Sequence, residues 1–414
     1  MSELRAARPI GLRLLNGAGQ ALRSLGLPLL DLDPDALVAK ARRQTGLEDF
    51  GDDAFREPLA RLTAALDHDA RLTTLGRMLA RSDLVRLLAH RLRVTDVRRR
   101  HPEIAAGTIV RPLFILGLPR TGTSILHELL AQDPENRVPM TWEVMTPVPP
   151  PEAATFERDP RIDEVERHFT GIDRLLPDFK SMHPMGARLP QECVAITQYE
   201  LASLVWHTTH RVPGYQAWLD AADHRRIYAA HRRWLQYFQW RAPARHWVLK
   251  SPGHLWTLDA LLAEYPDACV VQTHRDPLRV IASLVSLICT LRSIATDDVD
   301  PHEVGADWTA RLAAGLAHTM RVRAALPEAQ VFDVHFRDFM HDEIAMVRRI
   351  YAHVGRTLSP EAEARMRRFL ADNRADKHGR HTYRLALGGL DERTERRRYA
   401  EYQQHHQIPS EPVE

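Results

Sequence analysis

The stretch from Val110 to Leu130, VRPLFILGLPRTGTSILHELL, constrains the fold more than any other part of the chain. An apolar run of strand length breaks at Gly117 into a loop of small residues, then resumes with helical spacing. Strand, loop and helix in that order place backbone N–H groups and a helix N-terminus around an anion. Gly117, Gly122, Thr123 and Ser124 keep the glycine and hydroxyl spacing of a P-loop. One position departs from it. Thr123 stands where a triphosphatase carries the lysine for its β and γ phosphates, and the cation comes earlier, at Arg120. Such a loop suits the 5′ phosphate of a nucleotide held without a triphosphate grip.

Three further apolar runs read as strands: His246 to Lys250, Ala268 to Thr273 and Gln330 to His335. With 110–117 they alternate with helical periodicity, which predicts an α/β fold, a P-loop-like parallel sheet flanked by helices. Ligands of such sheets sit at the carboxyl ends of the strands. Residues 1–105 read as an all-helical N-terminal subdomain. Asp33 and Pro34 mark one helix start, and separate helices are expected over 54–66, 69–80 and 82–93, the last capped by Ser82. The main domain spans 106–390 and includes a mainly helical, acceptor-side insertion at 133–245. Six of the eight tryptophans fall at 142–247; filling that layer's own core is the simpler expectation, lining an acceptor pocket the other. Leu278 to Leu291 has the length of a buried helix, and 391–414 reads as a polar tail.

Composition narrows the partners. With 56 basic and 54 acidic residues the net charge is +2, which gives no basis for nucleic-acid binding, so any anion site is local. Cys193, Cys269 and Cys289 have neither metal-site nor disulfide spacing, as in a reducing cytoplasm. No window approaches the roughly 18 apolar residues of a membrane span. Residues 9–27 have the make-up of a basic amphipathic helix able to touch a membrane surface, although packing on the protein itself is the simpler expectation. Nothing in the sequence fixes the oligomeric state.

Only Lys40, Lys180, Lys250 and Lys377 among the 56 basic residues are lysine, so a lysine at a strand end carries more information than usual. Lys250 occupies such an end, in Val-Leu-Lys-Ser-Pro-Gly-His254. Arg275 follows the next strand, before Asp276-Pro277, and Ser283 lies eight residues on; together they could grip a second phosphate. A third basic cluster, Lys377-His-Gly-Arg380, surrounds a glycine and has the character of an anion-binding loop or of a solvated charge run.

Taken together these pieces resemble the sulfotransferase family that uses 3′-phosphoadenosine 5′-phosphosulfate, in particular its bacterial branch with a helical N-terminal extension. The resemblance covers roughly 108–385 and extends to 40–105. It implies that Arg120, Thr121, Gly122, Thr123 and Ser124 hold the 5′ phosphosulfate and that Arg275 and Ser283 hold the 3′ phosphate. Lys250 and Arg120 would each serve both donor binding and catalysis, stabilising negative charge on the bridging oxygen and the transferring sulfuryl group, with Lys377 and Arg380 also on the donor and no metal needed. Val334-His335-Phe-Arg-Asp-Phe is similar to a later strand and turn of that domain. The lysine-threonine-histidine triplet and the arginine-lysine-glycine motif of the animal cytosolic enzymes are absent. The base that accepts the acceptor's proton is therefore either Glu143, in Met-Thr-Trp-Glu, or His254, with His183 and Glu192 as acceptor-binding candidates. The implied acceptor is a hydroxyl on a small molecule, lipid or glycan. A kinase or nucleoside triphosphatase with a degenerate loop, or a non-catalytic nucleotide-binding protein, are the alternatives.

Overall fold

A computed structural model describes residues 10–25, 30–175, 185–373 and 384–413. At its centre is a five-stranded sheet, all of whose pairings are parallel: β1 (Leu113–Gly117), β2 (Asn136–Arg137), β3 (His246–Lys250), β4 (Cys269–His274) and β5 (Val331–His335). The order is β2-β3-β1-β4-β5. The chain leaves β1 for one edge and returns to build the other, so the loop after β1 opens at a topological switch point, where α/β sheets bind ligands. All five residues of β1 are buried, as a central strand covered on both faces requires. The expected strands lie where the sequence places them. β1 starts later than 110 because Val110 is exposed, Arg111 has a φ of +45° and Pro112 lacks an N–H.

Asp33 caps its helix, Pro34–Thr45, through a 2.7 Å bond from the Ala36 N–H. The separate helices expected over 69–80 and 82–93 are one helix of 27 residues, Thr74–Arg100. Thr73 provides its cap by accepting from the Gly76 N–H, and Ser82 is an exposed mid-helix residue. Helix Ile10–Ser24 crosses the start of the long helix, where Asn16 Oδ1 accepts from the Leu75 N–H, and leaves Leu14, Leu22 and Leu25 exposed. The expected buried helix is Pro277–Ser293.

The N-terminal helices have no core of their own. Leu37, Leu62, Leu84 and Leu88 share one apolar cluster with Ile196, Trp206, Tyr237 and Leu249 of the insertion and the sheet, so 30–105 and the insertion share a core. The C-terminal region is not a loose polar tail either. Residues Glu392–His405 form a helix that buries Glu395, Tyr399 and Tyr402 against Thr309 and His274, and its charged residues occupy the other face. Tyrosines at i and i+3 were the available signal for that face, outweighed by the eight charged or histidine positions of the same helix.

Candidate active site

Gly117 ends β1 at a φ of +147°, and a Cβ there would stand 2.2 Å from Thr273 Oγ1 and 2.6 Å from its carbonyl oxygen. Only glycine lets the first and fourth strands approach so closely at the loop's origin. Thr121, fully buried, donates to the Leu118 carbonyl at 2.6 Å and meets Thr273 Oγ1 at 2.5 Å, which pins the loop to β4. Gly122, at φ +89°, starts the helix Thr123–Leu130 without a side-chain cap. The first carbonyl bond of that helix is Leu126 N–H to Gly122, so the helix itself leaves the N–H groups of Thr123, Ser124 and Ile125 unused. Arg120 sits exposed at a φ of +65°, a strained position for a residue with a side chain and of the kind found at ligand clamps.

Lys250, at the end of β3 and 3% exposed, reaches across to this helix start. Its Nζ donates to Ser124 Oγ at 3.2 Å and to Glu192 Oε1 at 2.5 Å. The two residues thus joined to the lysine line one cavity of about 210 Å³ that also meets Glu128, His127, Phe169, Met185 and Tyr199. Lys250 lies where the anion loop and the cavity meet. Sequence reasoning missed Glu128 and His127, although Ser124, His127 and Glu128 at i, i+3 and i+4 share a helix face, a readable signal. Burial pushes the Glu128 carboxyl above its usual range, with Lys250 opposing the shift. His127 donates from Nε2 to the Val248 carbonyl at 3.1 Å, and burial together with Lys250 pulls its pKa down to about 3. The His127 ring is therefore neutral near pH 7.

On the other side of the loop, Arg275 donates from Nη1 to the Arg120 carbonyl at 3.1 Å, tying its guanidinium to the anion loop. Its Cζ lies 4.0 Å from the centroid of the Phe336 ring. Its remaining fork, Nε and Nη2, donates to the two carboxylate oxygens of Glu411 at 2.9 and 2.8 Å. Asp276 caps the following helix through Leu278 N–H. Ser283 is buried on that helix, and among the described residues no hydrogen bond joins it to Arg275.

Two expectations fail on burial. Glu143 is fully enclosed and forms a bidentate pair with Arg137, at 2.7 and 2.6 Å, while Oε1 also accepts the Met140 N–H. Glu143 thus anchors the short helix Thr141–Met145 and does not line the cavity beside Lys250. His254 is 3% exposed, bonded through Nδ1 to the Tyr228 hydroxyl at 2.7 Å and set edge-on to Phe114. Burial drives its pKa well below the usual histidine range, so it too is part of the packing. None of the insertion's tryptophans lines the cavity; Trp142, Trp206, Trp234 and Trp247 fill cores. Lys377, Arg380 and His183 lie outside the described residues.

Among the described residues one group, His274, Asp333 and His406, has metal-ligating side chains close together. Two of its three members are engaged by neighbouring side chains, while the buried His406 Nε2 has no hydrogen-bond partner among the described residues. His274 bonds Tyr402 and Asp333 through its two ring nitrogens, and Arg323 pairs with the second oxygen of Asp333 at 2.8 Å.

A loop of backbone N–H groups that its helix leaves unused, at the switch point of a parallel sheet and with a strand-end lysine beside a cavity, is an arrangement suited to group transfer. The chain belongs to the sulfotransferase family, whose family model matches residues 112–360. It is 35% identical to the sulfotransferase STF1 from Mycobacterium tuberculosis, whose crystal structure superposes with a TM-score of 0.79 over 89% of this chain and 98% of that one. It is 30% identical to the sulfotransferase STF9 from Mycobacterium avium, with a TM-score of 0.84 over 91% of this chain and 97% of that one. A curated relative, the omega-hydroxy-beta-dihydromenaquinone-9 sulfotransferase Stf3 of Mycobacterium bovis, is 26% identical over 277 residues, 63% of this chain and 67% of the relative. The protein is a transferase that moves a sulfuryl group.

Proposed function

We propose that the donor is 3′-phosphoadenosine 5′-phosphosulfate and the acceptor a hydroxyl group presented through the cavity beside Lys250. The observation that carries this reading is the position of Lys250, bonded both to Ser124 at the anion loop and to Glu192 on the cavity wall. In the reaction the acceptor oxygen forms a bond to sulfur as the bond from sulfur to the 5′-phosphate oxygen breaks. Lys250 and the N–H groups of the Thr123 helix stabilise the negative charge that gathers on the departing phosphate oxygen. Glu192 receives the acceptor's proton, taking the role that the sequence suggested for Glu143 or His254. Positioning and fixed charge supply the rate enhancement, as in other in-line transfers.

The apolar part of the cavity, with Phe169, Met185, Leu189 and Tyr199, supports an acceptor whose hydroxyl is carried on an apolar or aromatic body. That is compatible with the menaquinone derivative named for the Stf3 relative. A cytoplasmic setting is supported by three free cysteines, and no described helix is long and apolar enough to cross a membrane.

The donor reading is tested by titration calorimetry with adenosine 3′,5′-bisphosphate in the presence of a chelator. Binding without metal is expected, and Arg275→Ala weakens it about 10²-fold, the loss of a charge-assisted bidentate contact. Preference for ATP under the same conditions refutes the assignment and favours the kinase alternative. Glu192→Gln separates catalysis from binding. It is expected to lower kcat by about 10²-fold or more while leaving bisphosphate affinity within a few-fold. An equal loss in Glu128→Gln alone, with Glu192→Gln unaffected, would transfer the base to Glu128.

A further inference from the structure

We propose that residues 409–413 are a latch whose Glu411 carboxylate fills the 3′-phosphate subsite of the free enzyme and must leave when the donor binds. The inference rests on the reading of Arg275 as the 3′-phosphate ligand.

Arg275 has three directions to offer. One N–H is committed to the Arg120 carbonyl and one face to Phe336, which leaves the Nε and Nη2 fork for an anion. Glu411 takes that fork with both oxygens, the bidentate geometry that a phosphate would use. The contact is built rather than incidental. The Glu411 N–H donates to Asp276 Oδ2 at 2.6 Å, and Arg396 joins Asp276 Oδ2 at 2.6 Å to the Glu411 carbonyl at 2.8 Å. A fully buried aspartate and a second arginine thus aim one carboxylate at one guanidinium.

The segment is also able to leave. Its last buried apolar anchor on the helix Glu392–His405 is Ile408, which donates its N–H to the Gln403 carbonyl at 2.8 Å; past it that helix holds the segment through side chains alone, Arg396 on the Glu411 carbonyl and Gln403 Nε2 on Ser410 Oγ at 3.5 Å. Beyond it Pro409, Ser410 and Pro412 are exposed, and Val413 rests against the apolar cluster below. Between this segment and the helix Phe336–His341 lies a cavity of about 560 Å³, lined by Phe336, Arg337, Met340 and His341. A swing about Ile408 therefore uncovers both the Arg275 fork and this space, with no change in the sheet. A phosphate brings more charge and more acceptor oxygens than the carboxylate, so the donor displaces the latch, but at reduced apparent affinity.

Calorimetry on the full chain tests this with two ligands, adenosine 3′,5′-bisphosphate and adenosine 5′-monophosphate, and with Glu411→Ala and Glu411→Gln. A latch closed nine-tenths of the time lowers apparent affinity about tenfold, so both variants bind the bisphosphate about tenfold tighter than the parent. The monophosphate, which leaves the Arg275 fork alone, binds all three proteins equally. Unchanged or weakened bisphosphate affinity in both variants overturns the latch, and so does an equal gain for the monophosphate. If the parent and both variants fail to bind the bisphosphate at all, the donor reading itself falls and the latch with it. Thermal melts of the variants, expected within a few degrees of the parent, separate a misfolded protein from a true loss of binding.

Discussion

Replacing Lys250 by methionine is expected to reduce sulfuryl transfer about 10³-fold or more while leaving adenosine 3′,5′-bisphosphate binding within about tenfold of the parent. The substitution keeps the side chain's length and apolar stem, which matters at a position 3% exposed at the end of β3. What it removes is the charge that bonds Ser124 Oγ and Glu192 Oε1. Losing one preorganised donor from a site where charge develops costs about 10²–10³ in kcat, and a cation is worth more than a neutral donor. Under the proposed donor reading, affinity survives because the Thr123 helix start and Arg275 hold the phosphates independently of Lys250. Glu192 loses its counter-charge in the same variant but lies at the cavity wall, partly exposed, so water replaces the lysine and the fold is retained. Single-turnover transfer to a pool of phenols and hydroxylated lipids, measured with labelled donor, gives the result. Unchanged turnover removes Lys250 from the mechanism. A binding-only protein predicts no turnover in either form.

The parts of the site legible in the sequence were those encoded within a few consecutive residues. The P-loop spacing of Gly117 to Ser124 follows from local backbone demands, an unoccupied helix start and a glycine where two strands touch. The strand ends carrying Lys250 and Arg275 followed from apolar runs and short turn signals. The pairings opposite them were not legible, Glu192 being named only as an acceptor-binding candidate and Glu411 not at all, because such pairings depend on distant packing. Glu192 reaches Lys250 across 58 positions and Glu411 reaches Arg275 across 136, and no periodicity links such pairs. Glu143 misled for the converse reason. A carboxylate near a helix start reads alike whether it faces a substrate or a buried arginine, and only Arg137, six residues earlier, decides it. Glu128 was recoverable, since a helix known to begin at Thr123 puts it one turn above Ser124 on the side that the cavity occupies.

Lowering the pH from 7 to 5 is expected to destabilise the fold by several kcal/mol, because it holds buried histidines in their neutral form. Burial pulls the pKa of His231 down to about 3. It does the same to His90, helped by Arg86 and Arg93, and to His406, helped by His274. His127 follows through burial and Lys250, and His210 is drawn to about 4 by burial and Arg292. In the unfolded chain each titrates near 6.5, so between that value and about 3 the unfolded state binds more protons and stability falls with pH. One histidine shifted from about 6.5 to about 3 removes roughly 2 kcal/mol at pH 5, against a total stability of about 5–15 kcal/mol. Even if internal rearrangement relieves half of the sum over the five rings, about 5 kcal/mol is lost, a large part of that total. Urea unfolding at pH 7, 6 and 5 reads the slope directly, and His231→Gln is expected to flatten it by about 1 kcal/mol per pH unit on average, approaching the one-proton limit only toward pH 5. A free energy of unfolding that is flat across this range would show that these rings titrate normally. His127 connects the effect to function. Its neutral ring lines the cavity beside Lys250, so protonating it would introduce a second cation beside the lysine proposed to stabilise the departing phosphate.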